Sequence, residues 1–189
     1  MSLTSSQITT LRALIDADPV LSSFPMNADG HVAVAQALNQ PASPTFYVYR
    51  TDIPVQEVFD QVQWSKLTPA DAIPTDTALN AAIWQSRSLA CQGKQFNLQT
   101  LLMGQATING AKANVRAGLQ DALTNVPSAA SGATQAAGWV GVRDSVLARA
   151  ATVAEKALAT GNGGTAATAA TMTFEGALTA QDVEAVRQA

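Results

Sequence analysis

The sequence contains little charge and few aromatic side chains. Only 13% of its 189 residues are charged and 5% are aromatic, although 47% are hydrophobic and alanine supplies much of that share. Globular domains are usually about 25% charged, so copies of this surface repel one another weakly. Alanine also buries little apolar area. This composition favours a surface that is suited to assembly.

Other absences exclude whole classes of function. The 14 acidic and 11 basic residues are scattered and give a formal net charge of −3, with no basic block to neutralise DNA phosphates. Cys91 is the only cysteine, which excludes an intrachain disulfide and leaves no second thiolate ligand for a metal. The sequence contains neither a run of 18 apolar residues nor a secretion signal. We therefore expect synthesis in the cytoplasm, no membrane contact and no sequence-specific DNA binding.

Hydrophobic periodicity predicts a mainly α fold. Apolar residues recur at spacings of three, four and seven, often after a residue that can cap a helix. The candidate caps are Thr4, Ser5 or Ser6 for the first helix, Asn27 and Asp29 for the second, and Thr179 for the last. The segment HVAVA also alternates like a strand, but alanine and glutamine favour a helix there. The predicted helical segments are residues 4–19, 26–41, 54–64, 79–103, 110–126, 134–160 and 180–189.

The segment Leu79–Met103 is the longest periodic stretch. One stripe contains Leu79, Ile83, Ser86, Ala90, Gly93, Asn97 and Leu101, and a second stripe beside it contains Leu89, Phe96 and Met103. A glycine inside a helix costs up to about 1 kcal/mol relative to alanine. Gly93 therefore indicates a kink or a close helix crossing.

Two segments have the character of strands. The stretch TFYVYRTDIP is rich in β-favouring residues and ends at Pro54, and TMTFEGAL alternates before the last helix. We predict a single domain over residues 1–189, a helical bundle with an extended β-capable arm and a short C-terminal strand–helix extension. Its extended segments cover about 41–54 and 161–178, and the uncharged Thr/Ala/Gly run in the second is expected to become ordered on another chain.

Three short patterns are compared with known catalytic and binding motifs. GNGGTA has the outline of a dinucleotide fingerprint, but it follows a predicted helix instead of a strand, so a helix end leading into a loop is favoured. His31, the only histidine, could pair with Asp29 or Asp16, but no nucleophile elbow is present, and a first-turn helix histidine is favoured. Cys91 in mid-helix is interpreted as a small core residue. We predict no catalytic residue, cofactor or metal.

The tripeptide Phe174-Glu175-Gly176 has two interpretations. Glu175 could be a catalytic acid, but no second carboxylate is placed by sequence to share the work. The favoured interpretation buries Phe174 in a core or a neighbour, puts Gly176 in a tight turn and pairs Glu175 with Arg116 or Arg149. The three tryptophans are expected to be core anchors: Trp64, Trp84 and Trp139.

Several motifs together resemble a protein family. PTFYVYRT (residues 44–51), NVRAGLQDALT (114–124) and the run from Arg149 to Arg187 with EKALATGNGG and FEGALTAQDV are similar to small virion proteins of tailed bacteriophages and prophages. The resemblance covers nearly the whole chain and implies a head-to-tail connector, also called an adaptor or head-completion protein. Such proteins form a ring of about twelve copies under the portal, a cyclic and heterologous assembly.

The resemblance implies a mechanical function in the virion neck. Copies would dock on the portal, extend the DNA channel and present a surface to tail or stopper proteins. A weakly acidic lumen would let phage DNA pass without sticking. Expected contact residues are Tyr47, Tyr49, Arg50, Phe174 and Glu175, because aromatics and arginine often dominate interfaces.

Other interpretations remain open at this point. The chain could be another phage structural subunit: a tail terminator, a tail-tube protein or a capsid decoration protein. The first two are usually β-rich, so a helix content above about one half would count against them. A small hydrolase is the alternative from another class, but one histidine, one cysteine and no clustered carboxylates disfavour it.

Overall fold

The fold, taken from a computed structural model, is mainly α, with about 53% of the chain in helices. The structure describes residues 3–161 and 163–189. The α-helices are α1 (Ser5–Ala17), α2 (Pro19–Ser23), α3 (Ala28–Leu38), α4 (Val55–Gln61), α5 (Ala78–Leu102), α6 (Ala113–Leu123), α7 (Trp139–Gly141), α8 (Val153–Leu158) and α9 (Ala180–Gln188). A 3-10 helix covers Trp64–Leu67, and a π-helical turn, Val142–Val146, continues α7.

The strands are short and pair two by two in antiparallel ladders. β1 pairs with β6, β2 with β3, β4 with β5, and β7 with β8. They are β1 (Tyr47–Tyr49), β2 (Ile53–Pro54), β3 (Thr107–Ile108), β4 (Val126–Pro127), β5 (Thr134–Gln135), β6 (Ala148–Ala150), β7 (Ala159–Thr160) and β8 (Thr171–Met172).

The chain divides into two compact units. Unit 1 combines Met1–Tyr49 with Ala148–Ala189, and unit 2 is the intervening stretch Arg50–Leu147. The chain therefore leaves unit 1 at β1 and returns to it at β6. These two strands pair with each other, with Tyr49 opposite Ala148.

Unit 1 is built around a helical core. α1, α3, α8 and α9 each contribute apolar residues at helical spacing, and the segment after β8 adds Phe174 and Leu178. Asn39, the C-cap of α3, fixes that segment: its side chain donates to the Leu178 carbonyl and accepts from the Leu178 N–H, both at 2.9 Å. Thr179 caps α9, as the sequence predicts. Of the other candidates, Thr4 caps α1 and Asn27 caps α3.

Unit 2 is organised by the packing of α5 against α6. Leu98 and Leu102 of α5 and Leu119 and Leu123 of α6 are at most 1% exposed. Gly118 allows the helices to approach, because a Cβ atom there would lie 3.3 Å from Leu101 Cδ2. Both helices occur where periodicity predicts them, and α4 is confirmed as well.

The prediction of one helix over residues 134–160 is wrong. That stretch contains β5, α7 with its π-helical turn, β6, α8 and β7. Two features interrupt the helix: Gly138 has φ +100°, and Arg149 lies in β6 opposite Val48 of β1. Thr152 then starts α8 with a capping box closed by Glu155. Strand pairing overrides the helical periodicity there.

The second predicted extended segment, and the first up to Tyr49, bond within unit 1, whereas Ile53–Pro54 at the end of the first segment pair with β3 in unit 2. The N–H of Ala42 donates to the Ala151 carbonyl at 2.9 Å, and β1 is paired with β6. The Thr/Ala/Gly run forms the loop between β7 and β8, and Tyr47 exchanges backbone hydrogen bonds with Gly164 and Ala170 of that loop. The idea that these segments are free arms is therefore not confirmed for the described residues; Asn162 lies outside them.

No helix among the described residues is both long and apolar enough to cross a bilayer.

Candidate interaction surface

The predicted contact residues Tyr47 and Tyr49 lie on one face of β1. Successive side chains of a strand point to opposite sides, and Val48 between them is fully buried in a small core with Ala151 and Ala170. Both tyrosines are partly exposed. Their rings therefore remain candidates for contact with another chain.

Arg50, the third predicted contact residue, bonds within unit 2. Its guanidinium forms a two-pronged ion pair with Glu57 and also donates to the Val146 carbonyl at 3.3 Å. The hydrogen bond from Arg50, together with its charge, outweighs the effect of burial and lowers the pKa of Glu57. Arg50 thus has a structural role in the monomer.

Phe174 and Glu175 have the structural roles that the sequence favours: a buried ring and a carboxylate paired with an arginine. Phe174 is 8% exposed in the core of unit 1, so its ring is unavailable to a partner and we do not retain it as a contact residue. Glu175 lies 3.5 Å from the Arg149 guanidinium, which decides between the two arginines considered. Gly176 turns with φ +118°.

The tryptophans only partly meet the expectation that they anchor the core. Trp139 is buried, and Trp84 is half-buried with its indole N–H donating to the Asp71 carbonyl at 2.9 Å. The prediction for Trp64 is wrong. This side chain is 45% exposed because it starts the 3-10 helix at the surface, where its ring lies beside Phe59.

A buried ion pair joins β6 to α8. Glu155 is 1% exposed and accepts two hydrogen bonds from Arg149, at 2.8 and 2.6 Å. The backbone N–H groups of Thr152 and Gly176 also donate to this carboxylate, at 3.0 and 3.3 Å. Glu155 therefore ties β6, the start of α8 and the segment around Gly176 together within unit 1.

The pH dependence of stability should reflect this carboxylate. Burial alone would raise the pKa of Glu155, but the hydrogen bonds and charge of Arg149 and the two N–H donors outweigh it and hold the pKa below 4.5. The unfolded chain then binds the proton more readily. We expect the contribution of Glu155 to be complete above about pH 5 and to disappear as pH falls through its folded pKa.

Urea unfolding of wild type and of Glu155→Gln over a series of pH values measures this contribution. The difference in unfolding free energy between the two should shrink as the pH is lowered from about 5 to 3. A difference that stays constant over this range would contradict the role assigned to Glu155.

The glycine-rich motif does not form a nucleotide cradle. It follows β7, as the dinucleotide fingerprint requires, but within the described residues the next helix is α9, which begins only at Ala180. A helix directly after the glycines is what holds the pyrophosphate. Gly161 and Gly164 have φ of +96° and +117°, which identifies a loop that needs glycine to turn.

His31 and Cys91 are placed as the sequence suggests. His31 lies in the first turn of α3 and is 6% exposed, and Cys91 is 1% exposed on the inner side of α5. Burial raises the pKa of the Cys91 thiol, which opposes nucleophilic use. Among residues 3–161 and 163–189, no group of three or more His, Cys, Asp or Glu could hold a metal ion.

The inner side of α5 is fixed by polar contacts at its edges. Arg87 forms an ion pair with Asp71, and Lys94 does so with Asp121 of α6 at 3.0 Å. Gln95 donates to the Leu67 carbonyl at 2.8 Å, and the Cys91 thiol donates to the Pro127 carbonyl at 3.3 Å. These contacts fix which face of the helix is exposed.

The outer side of α5 carries several large apolar side chains and no charge. Leu79, Leu89, Phe96 and Met103 are each at least 65% exposed, and Ile83 is 43% exposed. All exposed residues of α5, which the structure describes in full, are uncharged, since its only ionic residues are Arg87 and Lys94. An exposed apolar patch of this kind usually marks an interaction site.

Gly93 lies in the middle of this outer face. Within the described residues nothing crosses α5 at this point, because α5 is one continuous helix and no atom beyond its own adjacent backbone lies within 4 Å of a Cβ built there. Gly118, by contrast, is required by the α5–α6 contact. The fold of the monomer therefore gives no packing reason for a glycine at position 93.

Sequence reasoning found the stripe of Leu89, Phe96 and Met103 but not its exposure. A stripe at helical spacing normally faces the core. The signal that could have revealed it is the scarcity of charge on α5: with Arg87 and Lys94 as its only ionic residues, this helix has too few charged residues for a typical solvated face.

Comparison with known proteins gives no relative. No family model, no curated protein and no solved structure matches this chain.

Proposed function

We propose that this chain is a structural subunit that assembles with copies of itself, and that its place is the neck of a tailed-phage virion. In this role a ring of subunits docks under the portal, lengthens the DNA channel and offers a surface to tail or stopper proteins. The ring is cyclic and heterologous, with about twelve copies as the resemblance implies. The position in the neck rests on the sequence motifs.

The observation that supports assembly is the outer face of α5. It combines large exposed apolar side chains with a complete lack of charge along a 25-residue helix. A monomer in water gains nothing from such a face, whereas burial against another chain removes apolar area from water at about 25 cal/mol per Å².

Two alternatives are disfavoured on specific grounds. Tail-tube and tail-terminator proteins are usually β-rich, whereas about 53% of this chain is helical. For a small hydrolase, the Cys91 thiol is 1% exposed and burial raises its pKa, which opposes its use as a nucleophile. A capsid decoration protein would share the helical fold and differ only in where it binds.

The direct experiment mixes the purified chain with the portal protein of the phage or prophage that encodes it. We expect electron microscopy to show an added collar on the portal ring, with portal alone as the control. Binding to capsid shells instead of portal would identify a decoration protein. A chain that joins neither assembly would overturn the proposed function.

A further inference from the structure

We propose that the outer face of α5 is a heptad seam that packs against α5 of a second copy of this chain. The inference rests on the proposed assembly and names the surface that makes it. Positions three and four residues apart adjoin on a helix, and two rows here follow this spacing. The rows are Ala82, Leu89, Phe96 and Met103, and Leu79, Ser86, Gly93 and Thr100.

The two rows correspond to the a and d positions of a coiled coil. Each row repeats every seven residues, and together they cover residues 79–103, more than three heptads. One row is dominated by large side chains and the other, from position 86 onward, by small ones. Large side chains from one helix can therefore enter the holes beside small ones on an identical helix, and the equal repeat keeps both rows in register.

Gly93 is the point of closest approach in this seam. It is the i+4 neighbour of Leu89 and the i−3 neighbour of Phe96, and the space above its Cα is open within the described chain. A glycine here destabilises an isolated helix. A second helix lying over this notch explains its presence, as Leu101 explains Gly118 within the monomer.

The flanks of the seam favour an identical partner. Charged residues beside a coiled-coil seam normally select which helix binds, but the flanking positions here are Gln85, Gln92 and Gln99 on one side and Ile83, Ala90 and Asn97 on the other. Such flanks neither attract an oppositely charged partner nor repel a second copy. A basic or acidic partner helix would find no oppositely charged residue beside the seam.

The size of the seam indicates a weak pair. A helix of this length spans about 37 Å and is about 10 Å wide, so the strip is on the order of 400 Å², against about 800 Å² per partner in a standard interface. A single strip of this size therefore supports only weak association by itself.

Sedimentation of the full chain, up to concentrations on the order of 100 µM because the single seam is small, tests the proposal. We expect wild type to self-associate and Phe96→Glu to weaken association at least about tenfold, since it places an unpaired charge in the seam. Gln120→Glu is the matched control. It adds the same charge at an exposed site on α6 of the same unit, and it should associate like wild type.

Gly93→Ala gives a second readout that does not depend on a disruptive charge. We expect the urea midpoint of the dilute monomer to rise, because alanine favours the helix, while association falls because the notch is filled. In a Cys91→Ser background, Leu89→Cys should give oxidised dimers, and Ala117→Cys on α6 should not. Association of Phe96→Glu or Gly93→Ala at wild-type strength would overturn the seam.

The outcomes also separate this inference from the proposed function. If the chain stays monomeric at these concentrations and forms no Leu89→Cys dimers, yet adds a collar to the portal, the proposed seam is wrong and the proposed neck role stands. If the chain associates through α5 but binds no portal, the seam stands and the proposed neck role is wrong.

Discussion

Replacing Arg149 by methionine is expected to lower the free energy of unfolding by about 3–5 kcal/mol. The Glu155 carboxylate is 1% exposed and would keep only the N–H groups of Thr152 and Gly176 as donors. A buried charge that loses its partner costs more than the pair contributed. Thermal or urea unfolding followed by far-ultraviolet circular dichroism measures the loss.

Two further variants distinguish this cause from general disruption. Arg12→Ala removes an arginine from an exposed ion pair with Asp16 in the same unit, and its effect should stay within about 0.5 kcal/mol. The double variant Arg149→Met with Glu155→Met should recover part of the stability, because an apolar pair replaces a buried ionic one. A double variant that is less stable than Arg149→Met would show that the unpaired charge is not the cause.

Replacing Gly138 by alanine is expected to destabilise unit 2 by about 3 kcal/mol or more. Gly138 has φ +100°, and a Cβ atom there would lie 2.1 Å from the carbonyl oxygen of Gln61. The added methyl group must displace backbone at the end of α4. All three tryptophans lie in unit 2, so denaturation followed by tryptophan fluorescence reports on this unit.

Gly132→Ala is the matched control for the clash. Gly132 also has positive φ, +79°, but no atom of the described residues lies within 4 Å of a Cβ placed there. Gly132→Ala should lower the free energy of unfolding by about 1–2 kcal/mol, the cost of holding an alanine at positive φ. Equal losses in the two variants would mean that the contact with Gln61 does not matter.

The sequence predicts those elements whose signals are local. Capping residues and apolar spacing define α1, α3, α5 and α6 with small errors at their ends. The predicted helix over 134–160 fails because the deciding interaction is distant: Arg149 pairs with Val48, about one hundred residues away in the chain. Strand pairing of this kind depends on context more than helix propensity does.

The interaction surface is predictable only in part for a related reason. Periodicity identifies the stripe of Leu89, Phe96 and Met103, but it cannot say which side of a helix with only two charged residues faces the core. That choice is made by Leu98 and Leu102 packing on α6 and by the ion pairs of Arg87 and Lys94. Tyr47 and Tyr49 stay predictions, whereas Phe174 shows that an aromatic in a distinctive motif can be a core residue.

The pairing of Tyr49 with Ala148 has a consequence for how this gene can change. Paired residues in an antiparallel ladder lie only about 5 Å apart, so everything between them begins and ends at one place. Domains whose two ends are close tolerate being inserted into a host. The 98 residues from Arg50 to Leu147 therefore form an insertion that recombination can lengthen, shorten or exchange. The pairing of β1 with β6 in the remainder of the chain keeps its register through such a change.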